Sequence, residues 1–386
     1  MSQRKICVVV TARPSYSRIK TALQAIKDHP ALELQLVVAA SALLNRYGSA
    51  VEVIEADGFY IAAKVYSVLE GGNLHAQAKT TGLGIIELAS VYENLAPDAV
   101  VTIGDRYETI STAIAAAYLN IPLVHIQGGE VTGNIDEKVR HAITKLADLH
   151  FVSSERARER VLRLGEVPDH VFLTGCPSID LAKDLLQDDR LSFDPYQKYG
   201  GVGARPDHTA GYLVVMQHPV TTEYGASRQN VEETLHAIYG LKKPTFWFWS
   251  NVDAGSDGTS NGIRAFRENY DIEHIHFFKN MEPHDFLRLL KNSQCLIGNS
   301  SVGIRECSYL GIPVVNIGSR QDGRERGRNV IDVVDYDRNA ISRAITAQVA
   351  HGHHEADIIY GDGQAGLRIA ELLAERPFTY HKRLTY

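Results

Sequence analysis

The sequence predicts an α/β protein made of two domains, each built on a doubly wound parallel sheet. Short runs that are apolar throughout, such as Lys5–Thr11 and Pro313–Ile317, are typical of strands buried on both faces. Between these runs lie segments with apolar residues at helical spacing, such as Ser15–Lys27. The alternation stops at residue 187 and resumes at residue 209, which indicates two domains rather than one.

Composition excludes several classes of protein. The 386 residues are 44% hydrophobic, and a length of roughly 150 residues per domain allows two to three domains. The 40 Lys and Arg residues against 46 Asp and Glu residues give a charge of −6, which disfavours a nucleic-acid-binding protein because phosphate contacts need a surplus of cations. The apolar runs are far shorter than the ~20 residues that cross a bilayer, and the run after Lys5 is too short for a signal-peptide core.

The four cysteines are scattered and form no CxxC pair. We therefore expect reduced, buried thiols in a cytoplasmic protein. His351, His353 and His354 lie in an irregular segment without ligand spacing, so we expect a surface cluster and no metal site. No GxGxxG motif follows the first strand and no GxxxxGK[ST] loop is present, which disfavours dinucleotide reduction and P-loop hydrolysis.

In the first domain, residues 1–186, strands and helices alternate. The predicted strands are Lys5–Thr11, Glu33–Ala39, Asp98–Ile103 and Pro122–Gln127. The predicted helices are Ser15–Lys27, Tyr107–Leu119, Asp136–Leu149, Ser154–Leu164 and Ile179–Leu186. Residues 187–208 are rich in Asp, Gly, Pro and Tyr, so they are interpreted as a linker.

The second domain, residues 209–362, repeats the alternation. Its predicted strands are Gly211–Met216, Thr245–Trp249, His274–Phe278, Cys295–Gly298, Pro313–Ile317 and Val330–Val334. Its predicted helices are Ser227–Leu241, Gly262–Asn269, Pro283–Lys291, Gly303–Leu310 and Asn339–Val349. A last helix, Gln364–Ala374, lies in the C-terminal segment 363–386.

Polar side chains follow the predicted strands, where open parallel sheets bind ligands, so we expect a site in a cleft between the domains. In the first domain these residues are Arg13, Ser17, Asp105, Arg106, Gln127 and Glu130. In the second domain they are His218, Asp253, Ser300, Ser301 and Arg320, with Glu306 on the helix after the Gly298–Gly303 loop. Such a loop suits an anion and sugar hydroxyls, although a helix capped by Ser with an acidic first turn fits it equally well.

These motifs together resemble the hydrolysing UDP-N-acetylglucosamine 2-epimerases of sialic-acid-type pathways. The segments that carry the resemblance cover nearly the whole chain in order: TARPSYSRIK, TIGDRYET, HIQGGEVTGNIDEKVRHAITKLADLHF, TGCPSIDL, QHPVTTEY, NVDAGSDG, GNSSVGIREC and GIPVVNIGSRQDGRERGRNV. The resemblance implies two Rossmann-like domains of the glycosyltransferase-B type, with the last helix returning to the first domain. It also implies a homodimer, with a tetramer possible.

The resemblance assigns roles to individual residues. On the nucleotide side it implies Arg13 and Ser17 near the diphosphate, Ser300 and Ser301 on phosphate oxygens, Glu306 on the ribose, and Arg320 and Arg106 in support. On the catalytic side it implies Asp105, Asp136, Arg140 and His218. The family often has Glu where this chain has Gln127, and a carboxamide cannot accept a proton at neutral pH. Proton transfer therefore falls to Asp105, Asp136 or Glu130, or the sugar differs.

The implied reaction converts UDP-N-acetylglucosamine and water to N-acetylmannosamine and UDP through a 2-acetamidoglucal, with no metal or redox cofactor. Two alternatives stay open. One is the same chemistry on a UDP- or GDP-linked 2,4-diacetamido-2,4,6-trideoxyglucose, which Gln127 favours because a carboxamide both donates to and accepts from an acetamido group. The other is a glycosyltransferase, which shares the architecture and a UDP pocket.

Overall fold

A computed structural model describes residues 3–44, 50–69, 74–104, 106–132, 135–250, 256–383 and 385. The chain divides into two compact units. The first contains Met1–Val131, Ile135–Leu181 and Tyr360–Tyr386, and the second contains Thr132–Asn134 and Ala182–Ile359. Each unit has one seven-stranded sheet with helices between its parallel strands, which confirms the predicted fold class of two doubly wound α/β domains.

The first unit has a parallel sheet in the order β3-β2-β1-β4-β5-β6-β7. Its strands are β1 (Arg4–Val10), β2 (Leu32–Ala39), β3 (Ile61–Val65), β4 (Ala99–Ile103), β5 (Leu123–Ile126), β6 (Leu149–Val152) and β7 (Val171–Leu173). Its helices are α1 (Arg13–Asp28), α2 (Ala50–Ala56), α3 (Leu74–Leu95), α4 (Thr109–Tyr118), α5 (Ile135–Leu146), α6 (Glu155–Arg163) and α7 (Pro177–Leu185). The strand order reverses between β1 and β4, the point where such sheets bind ligands.

The second unit has the order β14-β13-β12-β9-β10-β11-β8, in which only β8 is antiparallel among the described strands. Its strands are β8 (Val202–Gly203), β9 (Leu213–Met216), β10 (Thr245–Phe248), β11 (Ile275–Phe278), β12 (Cys295–Gly298), β13 (Val314–Ile317) and β14 (Val330–Val333). Its helices are α8 (Pro195–Tyr199), α9 (Ser227–Leu241), α10 (Ser256–Asn269), α11 (Pro283–Lys291), α12 (Ser301–Ile304), α13 (Glu306–Leu310) and α14 (Arg338–His351). The order reverses between β9 and β12.

The segment predicted as a linker is part of the second unit, so that interpretation is wrong for residues 187–208. Asp194 caps α8, since its Oδ1 accepts hydrogen bonds from the backbone N–H groups of Tyr196 (2.8 Å) and Gln197 (3.2 Å), and Pro195 fits the first helical turn. Strand β8 then pairs with β11. A five-residue helix and a two-residue strand are too short to show a hydrophobic period, which is why the sequence pattern missed them.

The last helix, α15 (Ala365–Glu375), is anchored in the first unit. Ile369, Ala370 and Leu373 belong to the same apolar core as the residues of β1, β2 and α1. The carboxylate of Asp180 accepts hydrogen bonds from the backbone N–H groups of Ala365 (2.9 Å) and Gly366 (2.7 Å), which are otherwise unsatisfied at a helix start. Burial of each larger apolar side chain contributes roughly 1.5–3 kcal/mol to docking this helix.

All four cysteines are free and buried, as predicted. Burial raises the pKa of the Cys7 thiol to about 12, so this group stays protonated. Within the described ranges, no helix has the length and apolar character needed to cross a bilayer.

Candidate functional site

Arg13 and Ser17 lie where β1 ends. Arg13 is the first residue of α1 and is half-buried, and the Ser17 hydroxyl donates a hydrogen bond to the Arg13 carbonyl oxygen at 3.3 Å. Both side chains therefore lie on the first two turns of a helix that begins at the switch point of the first sheet. This position suits contact with an anionic group.

The loop after β4 contains one residue that the sequence analysis missed. Asp105 lies outside the described residues, whereas its neighbour Arg106 is half-buried and donates from Nε to Glu108 Oε1 at 3.1 Å. Glu108 is only 3% exposed, and the same oxygen accepts from the Ser41 hydroxyl at 3.2 Å. Ser41 also bonds the Thr11 carbonyl oxygen at 2.9 Å. Glu108 thus joins the segment after β4 to Ser41, which follows β2, and through Ser41 to the loop after β1; no local motif signals this role.

Arg140 connects the loops after β4 and β5. Its side chain is 1% exposed, and its guanidinium donates from Nε to the Gly104 carbonyl oxygen (2.9 Å) and from Nη1 to the Glu130 carbonyl oxygen (3.2 Å). Asp136 lies one turn earlier in α5, half-buried and on the same face because four residues separate the two. The structure therefore brings Glu130, Asp136 and Arg140 to one edge of the first sheet, and the contacts of Arg140 are those of a positioning residue.

His125 supports the same loop from within the sheet. It is fully buried on β5, and its Nδ1 lies 3.2 Å from the Thr144 hydroxyl, while no described atom hydrogen-bonds its Nε2. Burial, followed by repulsion from His150 and Arg140, lowers the pKa of His125 well below its usual value, so the imidazole is neutral. A Cβ at Gly104 would overlap this ring, so any larger residue at position 104 would force the ring or the backbone to move.

Gln127, the first residue after β5, has an unusual backbone and a specific partner. Its φ is +65°, a left-handed backbone conformation that residues other than glycine rarely adopt. The residue is 1% exposed, and its Nε2 lies 3.0 Å from the sulfur of Cys176, which follows β7. Glu130, three residues on, is also buried. The polar groups at this edge are therefore held in fixed positions.

In the second unit, His218 and Asn299 join the loops after β9 and β12. The His218 backbone N–H donates to Asn299 Oδ1 at 2.7 Å, and Asn299 Nδ2 donates to the His218 carbonyl oxygen at 2.8 Å. Both residues are buried. Gly298 has φ +129°, and a Cβ there would overlap the Met216 carbonyl oxygen, so the two loops approach as closely as the backbone allows.

The segment after β12 differs from the single predicted helix Gly303–Leu310. It forms α12 and α13, which are separated at Arg305, where ψ is −76°. The Ser300 hydroxyl caps α12 by accepting from the Val302 N–H at 3.5 Å, and Ser301 begins it half-buried. Glu306 begins α13, and its buried Oε2 has no hydrogen-bond partner among the described residues. Two short helices give a weaker dipole than the continuous one expected.

Arg320 follows β13 and contacts the loop after β12. Its Nη1 donates to the Asn299 carbonyl oxygen at 3.1 Å, and Gln321 Nε2 donates to the same atom at 2.8 Å.

Asp253 lies in residues 251–255, outside the described residues. His351 and His354 stack with ring centroids 3.9 Å apart, and within the described ranges no three His, Cys, Asp or Glu side chains are grouped to hold a metal ion.

Each unit thus gathers polar groups at its own switch point. The first offers carboxylates and arginines on interlocked loops, and the second offers an imidazole, hydroxyls, a carboxylate and a guanidinium. Carboxylates and imidazole can transfer protons, and hydroxyls with guanidinium groups can bind a diphosphate. The catalytic and binding roles of these residues remain predictions, and Asp105 lies outside the described residues.

Comparison with known proteins adds the family context. The sequence profile of the family described as UDP-N-acetylglucosamine 2-epimerase matches residues 24–374. A UDP-N,N'-diacetylbacillosamine 2-epimerase (hydrolyzing) of Legionella pneumophila is 33% identical over 97% of this chain and 96% of its own length. Polysialic acid biosynthesis protein P7 of Escherichia coli is 35% identical over 89% of this chain and 85% of its own. The crystal structure of UDP-GlcNAc 2-epimerase from Neisseria meningitidis bound to UDP-GlcNAc has a TM-score of 0.79 at 18% identity, over 96% of this chain and all of that one.

Proposed function

Because this chain belongs to the UDP-N-acetylglucosamine 2-epimerase family, we propose that it is a hydrolysing 2-epimerase. It converts UDP-N-acetylglucosamine and water to N-acetylmannosamine and UDP, as a step in the synthesis of nonulosonic (sialic-type) acids. The observation that carries the hydrolysing assignment is the similarity, over nearly the full length of both chains, to the hydrolysing enzyme of L. pneumophila.

The chemistry makes definite demands on the protein. A base removes the proton on C2 of the sugar while the C1–O bond to the diphosphate breaks, which yields UDP and a 2-acetamidoglucal. Water then adds at C1, and C2 receives a proton on the opposite face, which gives N-acetylmannosamine. The protein must hold a base and an acid in fixed positions, stabilise the charge that develops on the leaving diphosphate, and retain the glucal.

In this proposal the first unit supplies acid–base catalysis. Asp105, Asp136 and Glu130 are the candidate proton carriers. The hydrogen bonds from Arg140 to the Gly104 and Glu130 carbonyl oxygens support this assignment, because they fix the two loops that carry or adjoin these carboxylates. Glu130 is buried and Asp136 is half-buried, so both carboxylates belong to the interior of this edge of the sheet and not to its solvated surface.

The second unit supplies nucleotide binding. Ser300, Ser301 and Arg320 are proposed to bind the diphosphate, and Glu306 the ribose, for which its unpartnered buried Oε2 is a suitable acceptor. His218 is proposed to stabilise or protonate the leaving diphosphate. Arg13, Ser17 and Arg106 of the first unit are proposed as further substrate contacts. No metal or redox cofactor takes part in this proposal.

The diacetamido sugar nucleotide is the alternative substrate, and two observations favour it. The L. pneumophila relative is named for UDP-N,N'-diacetylbacillosamine, and Gln127 supplies a carboxamide where a carboxylate would suit hydroxyl groups alone. The base attached to the diphosphate is part of the same question, so both UDP- and GDP-linked sugars belong in the test.

NMR of UDP-GlcNAc incubated with pure protein tests the proposal. Free N-acetylmannosamine and UDP should appear in equal amounts. UDP-N-acetylmannosamine without released UDP would show the non-hydrolysing reaction instead. An unchanged UDP-GlcNAc spectrum, with turnover only when a sugar acceptor is added, would show a glycosyltransferase.

We also propose a cytoplasmic homodimer. The four buried thiols support a reducing compartment, and the family resemblance supports the dimer, with a tetramer possible. Light scattering should give a mass near twice the 42.7 kDa of one chain, and a monomer would reject the dimer.

A further inference from the structure

We propose that Cys176 is a positioning residue that fixes the carboxamide of Gln127 and thereby sets which sugar substituent the enzyme accepts. The inference rests on the proposed function, because it concerns selection between the two sugar nucleotides named above. It comes from one contact between two buried side chains, the 3.0 Å approach of Gln127 Nε2 to Cys176 Sγ.

The backbone places Gln127 at the edge that carries the other predicted catalytic groups. Its N–H donates to the Phe151 carbonyl oxygen at 2.9 Å, and the preceding residue, Ile126, accepts from the Gly104 N–H at 3.1 Å. Gln127 therefore lies directly beside the end of β4, with a φ of +65°. Holding a residue other than glycine in this region costs roughly 1–2 kcal/mol, and such strain concentrates at functional sites.

Cys176 is held as firmly as Gln127. It is fully buried, its backbone N–H donates to the Tyr360 carbonyl oxygen at 2.8 Å, and its sulfur lies 3.1 Å from the Ser178 hydroxyl. The hydrogen bonds form a chain in which the Gln127 N–H donates to sulfur and the sulfur shares a second hydrogen bond with the Ser178 hydroxyl. The sulfur is therefore held between Gln127 and Ser178, and its contact with Nε2 orients the carboxamide of Gln127.

This arrangement suits a carboxamide better than a carboxylate. A thiol supplies a single weak S–H donor, and a carboxylate at 1% exposure needs strong donors or a cation to offset its desolvation. The contact with Cys176 uses one N–H of Gln127, and the carboxamide also has a second N–H and a carbonyl oxygen. Those two groups match the N–H and C=O of an acetamido group, whereas a hydroxyl can engage either one of them.

The test compares kcat/KM for UDP-GlcNAc and for the UDP-linked diacetamido sugar in a double-mutant cycle. Gln127→Ala and Cys176→Ala should each change the ratio of the two values by about tenfold or more, in the same direction, because an unpaired buried polar group costs ~1–3 kcal/mol. The double variant should show the ratio of Gln127→Ala alone, since Cys176 acts only through Gln127. Cys176→Ser, which keeps a donor and an acceptor, should restore most of the wild-type ratio.

Cys7→Ala is the matched control, because Cys7 is also a fully buried cysteine of the first unit and packs in an apolar core. It should leave the ratio unchanged while creating a cavity of similar size. The infrared S–H stretching band of Cys176, identified by its loss in Cys176→Ser, should shift in Gln127→Ala. This readout does not depend on turnover and keeps the inference testable if Cys176→Ala folds poorly.

Three results separate the possibilities. An unchanged ratio of the two kcat/KM values in Cys176→Ala overturns the inference. Lost stability lowers both values together and so does not alter their ratio. A double variant whose effect is the product of the two single effects also overturns it. A wild-type enzyme that turns over neither sugar rejects the proposed function and the specificity role with it, while the S–H band then reports only whether the contact exists.

Discussion

The side chain of Asn299 hydrogen-bonds both backbone polar groups of His218, accepting from its N–H at 2.7 Å and donating to its carbonyl oxygen at 2.8 Å. The Asn299 carboxamide thus satisfies both backbone groups of His218, as a neighbouring strand would within a sheet, and so joins the two loops. The two residues are 81 positions apart, and the pair fixes the backbone of His218 beside the residue that precedes Ser300 and Ser301. The backbone oxygen of Asn299 in turn holds Arg320.

Asn299→Ala should therefore lower kcat/KM by ~10–100-fold, because it leaves two buried backbone groups of His218 unpaired at ~1–3 kcal/mol. The measurement is steady-state kinetics with UDP affinity by calorimetry. Asn329→Ala is the control, since Asn329 is an equally buried amide of the same unit that bonds the Ile312 carbonyl oxygen. It should lower thermal stability but not kcat/KM. Equal kinetics for both variants would contradict the role of Asn299.

Gly104→Ala should reduce kcat by ~10²-fold or more, because the added Cβ overlaps His125 Nε2 and displaces the chain immediately before Asp105. Gly82→Ala in α3 is the matched control, since a Cβ there would have no described atom within 4 Å. That variant should keep full activity and gain roughly 0.5–1 kcal/mol of stability from helix propensity. A fully active Gly104→Ala enzyme would show that the loop tolerates displacement.

The sequence predicted the sheet centres well because their strands are buried on both faces. β1, β4, β9 and β12 read as continuous apolar runs, and all were expected near their observed bounds. β3, with the charged Lys64 near its end, lies at a sheet edge and lacks that pattern. β7 is three residues long, and α3 is weakly amphipathic with two internal glycines, so neither gave a periodic signal.

The candidate site was predictable only in its loops. The rule that ligands bind at the carboxyl ends of parallel strands selects the loops after β1, β4, β5, β9 and β12 from the sequence alone. It cannot show that Gln127 meets Cys176, because the two are 49 positions apart and nothing local couples them. It also cannot show that Arg140 turns inward to two carbonyl oxygens, since Arg is usually exposed.

Substitution of the proposed catalytic groups should separate turnover from binding. Asp105→Asn, Asp136→Asn and His218→Ala should each lower kcat by at least ~10²-fold, the usual scale of lost acid–base catalysis, with UDP affinity nearly unchanged. Ser301→Ala and Glu306→Ala should weaken UDP binding first, as measured by calorimetry. Near-normal rates in all three catalytic variants would refute the assignment.

The free energy of unfolding should decrease in two stages as the pH is lowered. Burial lowers the pKa of His125 well below 6.5, so the unfolded state binds the proton more readily and stability declines as the pH falls through 6.5. Burial alone would raise the pKa of Glu166, but hydrogen bonds from His150, Lys145 and Lys382 outweigh it and lower that pKa to about 2. Its contribution is therefore complete above 4.5 and is lost between 4.5 and about 2.

Thermal denaturation at a series of pH values measures both stages. Glu166→Gln should remove the lower stage and leave the upper one, because Gln keeps the size but does not titrate. His125→Gln should reduce the upper stage without removing it, because burial also lowers the pKa of His150. A Glu166→Gln protein with the wild-type profile below pH 4.5 would show that other carboxylates govern acid unfolding.

Gln127→Glu tests substrate choice directly. The Cys176 thiol is a weak donor and would compensate a carboxylate poorly at a site that is 1% exposed, so the variant should lose kcat/KM on both sugars by ~10-fold or more. The loss should be greater for the diacetamido sugar, because a carboxylate cannot donate to the acetamido carbonyl oxygen. The measurement is kcat/KM for UDP-GlcNAc and for the UDP- and GDP-linked diacetamido sugars. A clear wild-type preference for UDP-GlcNAc that Gln127→Glu leaves unchanged would remove residue 127 from specificity.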